Sequence, residues 1–171
     1  MRIVSKIVMA VALLSLSASA QQTPFQDSLL DHMTGNWILH GTIMGQETTH
    51  DVSAEWVLAH QYLQLHEVSH EKDSIGNPRY EATVFIGWDK ATNQYDCLWL
   101  DVTSGGGLTG QGIGRGKRSG ENIALLFDGS DGSIFHTTFA YDGGKDSWQW
   151  IMDGETNGKL EPFARLALTR K

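Results

Sequence analysis

Met33-Thr34-Gly35-Asn36-Trp37-Ile38-Leu39-His40-Gly41 marks the place where a short helix gives way to a first strand, and its reading decides the fold. Trp37, Leu39, Gly41 and Ile43 share one apolar or small face, while Asn36, His40 and Thr42 fall on the other. That is the period-two pattern of a half-buried strand. Upstream, Thr23-Pro24-Phe25-Gln26 offers a capping residue, a proline at the first helical position and a glutamine placed for a capping box. Phe25, Leu29, Leu30 and Met33 form one stripe, and Gly35 can supply the terminating left-handed residue. A helix this short holds only by docking, so it is expected to lie across one end of the fold and close its base.

Downstream the sequence reads as strand, turn, strand. Strands are expected at 35–44, 48–59, 61–71, 79–88, 93–103, 108–116, 121–128, 133–142, 146–153 and 158–169, separated by turn-formers such as Gly45, Asp73 to Pro78, Ser104 to Gly107 and Asp153 to Gly158. Short strands on short turns, without a crossover helix, make an antiparallel meander. A meander this long exposes two edges unless it closes, so the expected fold is all-β: a closed up-and-down barrel of about ten strands, with a two-sheet sandwich as the other solution. On the strand over 108–116, Gly110, Gly112, Gly114 and Gly116 fall on one face. They leave room for either an aromatic side chain from across the barrel or a ligand. Gly105-x-Gly107-x-x-Gly110 is followed by a strand, not the helix that a dinucleotide site requires.

Residues 1–20 have the three-part shape of a secretory signal peptide: Arg2 and Lys6, an apolar run from Ile7 to Leu14, then Ala18-Ser19-Ala20. The run is far shorter than the ~20 residues that span a bilayer. Cleavage is therefore expected after Ala20, leaving 21–171 as one domain exported to the periplasm or beyond, with no membrane insertion. The single cysteine, Cys97, lies deep in the chain, so it neither accepts a lipid at the new N-terminus nor forms an internal disulfide. It reads as a small buried apolar residue rather than a reactive thiol. A formal charge of −7, with scattered basic residues, argues against nucleic acid and anionic membranes as partners.

The usual catalytic and metal signatures are missing. His66 and His70 stand four apart on one strand, roughly 13 Å at ~3.3 Å per residue, too far to share a metal. His40 is expected to face either His50 or Asp51, depending on the length of the turn around Gly45, on the solvent side opposite Trp37. No HExxH or CxxC spacing occurs, and Asp128-Gly129-Ser130-Asp131-Gly132 reads as a hairpin turn, not a nucleophile elbow or a calcium loop. No metal or cofactor is expected. What stands out are polar residues inside apolar strands: His66 and Glu67, Asp101 after Trp99, and His136 between Phe135 and Phe139. A cavity that holds a ligand needs a few polar groups on aromatic walls, so His66, Glu67, Trp99, Asp101, His136 and Trp150 form the candidate ligand-binding set. The plainer reading of each polar member is a strand-end residue facing solvent.

Gly35-Asn36-Trp37, Gly87-Trp88-Asp89 followed by Asn93-Gln94-Tyr95, Trp99-Leu100-Asp101 and the closing Leu168-Thr169-Arg170 together resemble a calycin-type family of small bacterial lipocalin-like domains of unknown function. The resemblance covers nearly all of residues 21–171. It implies a tryptophan at the closed end of a barrel under a basic residue of the last strand: here Trp37 beneath Arg170, or else Arg165, in a cation–π contact. Related nitrobindin-like barrels hold haem through a histidine near the C-terminus, but this chain has none after His136, so haem is not expected. The functional expectation is a barrel that binds a small, mostly apolar molecule. The alternatives are an isomerase or hydrolase using His66, Asp101 or His136 in the same cavity, and a filled barrel that acts on another protein through its outer surface.

Overall fold

The computed structural model describes residues 23–103, 108 and 110–171; the expected signal peptide and the turn over Ser104 to Gly107 lie outside them. Ten strands follow one short helix, α1 (Ser28–Asp31): β1 (Gly35–Ile43), β2 (Gln46–Val57), β3 (Tyr62–Ser69), β4 (Glu81–Asp89), β5 (Gln94–Asp101), β6 (Ile113–Ser119), β7 (Asn122–Asp128), β8 (Ile134–Asp142), β9 (Ser147–Thr156) and β10 (Lys159–Arg170). Every strand pairs antiparallel with its neighbours in sequence, and β1 pairs with β10, so the meander closes into a barrel without edges.

Two hairpin turns set the register at one end of the barrel. Met44-Gly45 and Asn157-Gly158 both have positive φ at each residue, the type I′ geometry that suits the twist of the flanking strands. The first makes Ile43 the partner of Gln46, so His40 faces Thr49 and Leu39 faces His50. The expectation that His40 meets His50 or Asp51 therefore gives way to a different pairing, and His50 turns to the inside. Side chains alternate sides strictly, so one residue of register decides which face a histidine occupies.

The helix begins later than Thr23. Asp27 caps it, its carboxylate accepting from the backbone N–H groups of Leu29 and Leu30 at 2.9 and 3.1 Å, and the same side chain accepts from the Tyr95 hydroxyl. Asp31 accepts from the Trp56 indole at 2.8 Å. A single turn of helix is thus sewn to β2 and β5, and Leu29, Leu30 and Met33 are fully buried against Trp37 and Leu39. Fully buried Trp148, Trp150 and Phe139 fill the same half of the barrel. Cys97 is buried there too, where burial and then the neighbouring Asp96 charge push its thiol up.

The glycine-faced strand over 108–116 is also shifted. Gly110–Gly112 form a turn of 3-10 helix, and β6 starts at Ile113 and continues to Ser119, past the expected end. Of the four glycines only Gly114 and Gly116 belong to the strand. The first lies under the ring of its cross-strand partner Phe127, where a Cβ would come within 2.5 Å of the ring. The aromatic that needs the space comes from the adjacent strand, not from a tryptophan across the barrel.

Candidate functional site

The end of the barrel opposite α1 is not filled. A cavity of about 800 Å³ lies above the aromatic base, walled on one side by Phe127, Phe135, Met152, Phe163 and Leu166. Phe163 owes its place to a bulge in β10. The pairing with β9 passes from Pro162–Asp153 to Ala164–Met152, which leaves Phe163 as the extra residue. Its ring meets Phe135 edge-on at 5.1 Å. Packed interiors have few voids larger than a water, and small-molecule sites enclose roughly 300–1,000 Å³.

The opposite wall is polar, and at its centre the candidate Glu67 is joined by His50, which the sequence reading places on the solvent side. His50 on β2 and Glu67 on β3 are 2% and 3% exposed, and His50 Nδ1 is hydrogen-bonded to Glu67 Oε1. A carboxylate can only accept, so it fixes the hydrogen on Nδ1 and leaves Nε2 turned to Thr48 Oγ1, 2.7 Å away. The Thr48 hydroxyl also reaches Glu71 Oε2 at 3.2 Å. Glu71 is partly desolvated, but hydrogen bonds from its own backbone and from Thr48 hold its carboxyl below the usual range.

Tyr80 completes this wall. Its ring stacks on His50 with centroids 5.6 Å apart, and its oxygen accepts the Trp99 indole N–H at 3.1 Å. Burial first, then the Glu67 and Asp101 charges, push the Tyr80 hydroxyl far up despite the Trp99 hydrogen bond, so it remains an O–H at any working pH.

Of the six candidate residues, Glu67, Trp99 and Asp101 line the cavity. Asp101 accepts from the backbone and hydroxyl of Thr103 at 2.7 and 2.6 Å. Trp150 sits in the packed base, edge-on to Trp99 at 6.3 Å and to Phe139 at 5.1 Å. His66 and His136 are on the outer face, paired with Glu81 at 2.8 Å and Glu155 at 2.7 Å. The structure does not bring them to the cavity.

No family model matches this chain, and no curated protein matches it either.

The signals for the missing members were present. A glycine at the second position of a two-residue turn marks a type I′ hairpin. Placing that turn at Met44-Gly45 puts His50 on the Leu39 face. Tyr80 extends the inward series Ala82, Val84 and Ile86 by one step of two. Among the described residues no cluster of three His, Cys, Asp or Glu side chains is arranged to hold a metal ion.

Proposed function

We propose that this chain is an exported, calycin-type barrel that binds a small, mostly apolar molecule bearing at least one hydrogen-bonding group. The single observation that carries the reading is the cavity of about 800 Å³, apolar and aromatic on one wall and polar on the other. A barrel that served only as a scaffold would fill that space, because dispersion contacts are lost around every void. The filled base shows that the sequence has the aromatic residues to pack an interior where packing is all that is needed. Export rests on the N-terminal pattern of residues 1–20.

Native mass spectrometry of protein purified from its own source tests both parts. The expected spectrum shows a chain beginning at Gln21 with a co-purifying small molecule, released on denaturation. Thermal stabilisation by apolar compounds gives the same answer in a second way, since a ligand that binds only the folded state raises the melting temperature. Protein that carries no ligand and is stabilised by no apolar compound would remove the binding reading. Exported material that retains residues 1–20 would remove the cleavage.

A further inference from the structure

We propose that the cavity catalyses proton transfer on an apolar, enolisable carbonyl compound, with His50 Nε2 as the base and the Tyr80 hydroxyl donating to the carbonyl oxygen. The inference rests on the reading of the cavity as a ligand site and goes beyond it.

Two arrangements on the polar wall carry it. The first is the buried imidazole–carboxylate pair. Taking such a pair out of water is costly, and an apolar pair of similar volume serves stability as well or better. His50 and Glu67 are nonetheless the inward residues of β2 and β3 at the cavity wall. Glu67 on Nδ1 orients the ring and sets its tautomer, which leaves the Nε2 lone pair toward Thr48. Thr48 has one hydroxyl hydrogen and two takers, His50 Nε2 at 2.7 Å and Glu71 Oε2 at 3.2 Å. Glu71 can hold that hydrogen, and a turn of the Thr48 side chain about χ1, which carries its oxygen off Nε2, is the movement that the proposal requires for a substrate to reach the base.

The second arrangement is the donor beside this base. The Trp99 N–H can only donate, so the Tyr80 oxygen spends a lone pair on it and its own hydrogen is left to point elsewhere. Among the described residues that hydrogen has no acceptor. A hydroxyl that already accepts a hydrogen bond is a stronger donor. Tyr80 stacks against His50 and both line the same cavity, so a ketone whose oxygen is held by the phenol lies in the space that the imidazole also borders.

The step is redox-neutral. The α C–H bond breaks and its proton goes to His50 Nε2; the C–H electron pair forms the enolate C=C bond while the carbonyl π pair moves onto oxygen, where Tyr80 O–H stabilises it. Return of the proton from Nε2 to the same carbon gives exchange, and return to a conjugated carbon gives the isomer. Glu67 and Trp99 act through His50 and Tyr80 and are positioning residues. The aromatic wall of Phe127, Phe135 and Phe163 selects an apolar body.

The test uses β-tetralone, a bicyclic ketone with benzylic α-hydrogens, and protein isolated from cells expressing the full chain. Proton NMR in deuterium oxide follows loss of the α-hydrogen signal, and tryptophan fluorescence follows binding in the same samples. The wild type is expected to accelerate exchange at least about a hundredfold over His50→Gln, within the usual range for one positioned base. Glu67→Gln should slow exchange at saturating ketone while leaving affinity nearly unchanged, and Tyr80→Phe should slow it by far more than the roughly two- to tenfold in affinity that one lost hydrogen bond costs, a split that a merely structural role would not produce. The outer-face variants His66→Ala and His136→Ala should exchange as the wild type does. Circular dichroism confirms folding of each variant, and Tyr80→Phe, which deletes one oxygen, serves if His50→Gln unfolds. Binding without exchange, or exchange unchanged in folded His50→Gln or Tyr80→Phe, overturns proton transfer and leaves the cavity reading standing. Failure of the wild type to bind the ketone overturns the proton-transfer proposal; failure to bind any apolar compound removes the cavity reading with it.

Discussion

The guanidinium carbon of Arg170, next to last in the chain, lies 3.8 Å from the centre of the Trp37 ring near the start of β1. Trp37 is fully buried beneath it and donates its indole N–H to the Met33 carbonyl at 2.7 Å. The same guanidinium donates to the His32 and Thr34 carbonyls and to Asp146. One side chain thus ties together the end of α1, β1, the β8–β9 turn and β10. Trp37→Ala is expected to cost about 3–5 kcal/mol, as for other buried aromatic truncations. Arg170→Ala should cost less, about 0.5–2 kcal/mol for the lost cation–π contact. Denaturant melts of the two variants measure both.

Acid should loosen the same clamp. The hydrogen bond from Arg170 comes first among the causes that hold the Asp146 carboxyl below its ordinary value of 3.8; desolvation opposes it, and the Tyr141 hydroxyl assists. A carboxyl lowered on folding adds stability that is present above its unfolded value and lost as pH falls through the folded one. Asp146→Asn should therefore lower the melting temperature at neutral pH and flatten its fall below about pH 4. An acid limb unchanged in the variant would assign that limb to other carboxylates.

At Gly114 the close approach of Phe127 leaves no room for a methyl group. Gly114→Ala should destabilise by about 1–3 kcal/mol through overpacking. Phe127→Leu placed on top of it should recover part of the loss, giving a favourable coupling in a double-mutant cycle. Strictly additive effects would mean that the ring is not what the glycine accommodates.

Cavity-lining and outer-face substitutions should separate cleanly. Thr137 is buried at the cavity wall, so Thr137→Trp is expected to fill the space and abolish binding of apolar probes without unfolding the barrel. Asp101→Ala should weaken probes with a hydrogen-bonding group about two- to tenfold, the worth of one such bond. His136→Ala, whose partner Glu155 shares the outer face, should leave binding unchanged. Titration by tryptophan fluorescence reads all three.

The fold was legible because its determinants are local. Alternating apolar residues and Gly, Asn and Asp at turns place strands one at a time, and closure follows from the need to hide edges. Trp37 under Arg170 followed from the family resemblance and stands in the structure. The shortfalls arose where a feature spans strands. His50 reaches the cavity only because the Met44-Gly45 turn contains two residues, and one more or one fewer would have turned it outward. Asp27 displaces Thr23 as the cap because Tyr95, far along the chain, holds the same carboxylate. His66 and Glu67 are sequence neighbours of equal polarity, and only register against β2 and β4 separates an outer-face pair from a cavity wall.

The seam between β1 and β10 also governs how the molecule comes into being. Trp37 pairs with Arg170 across almost the whole chain, so the loop-closure entropy of that contact must be met before the contact returns anything. A nascent chain lacking its final strand has two unpaired edges and no enclosed volume. The barrel is thus expected to fold slowly for its size, with the cavity appearing in the same cooperative step as the last strand.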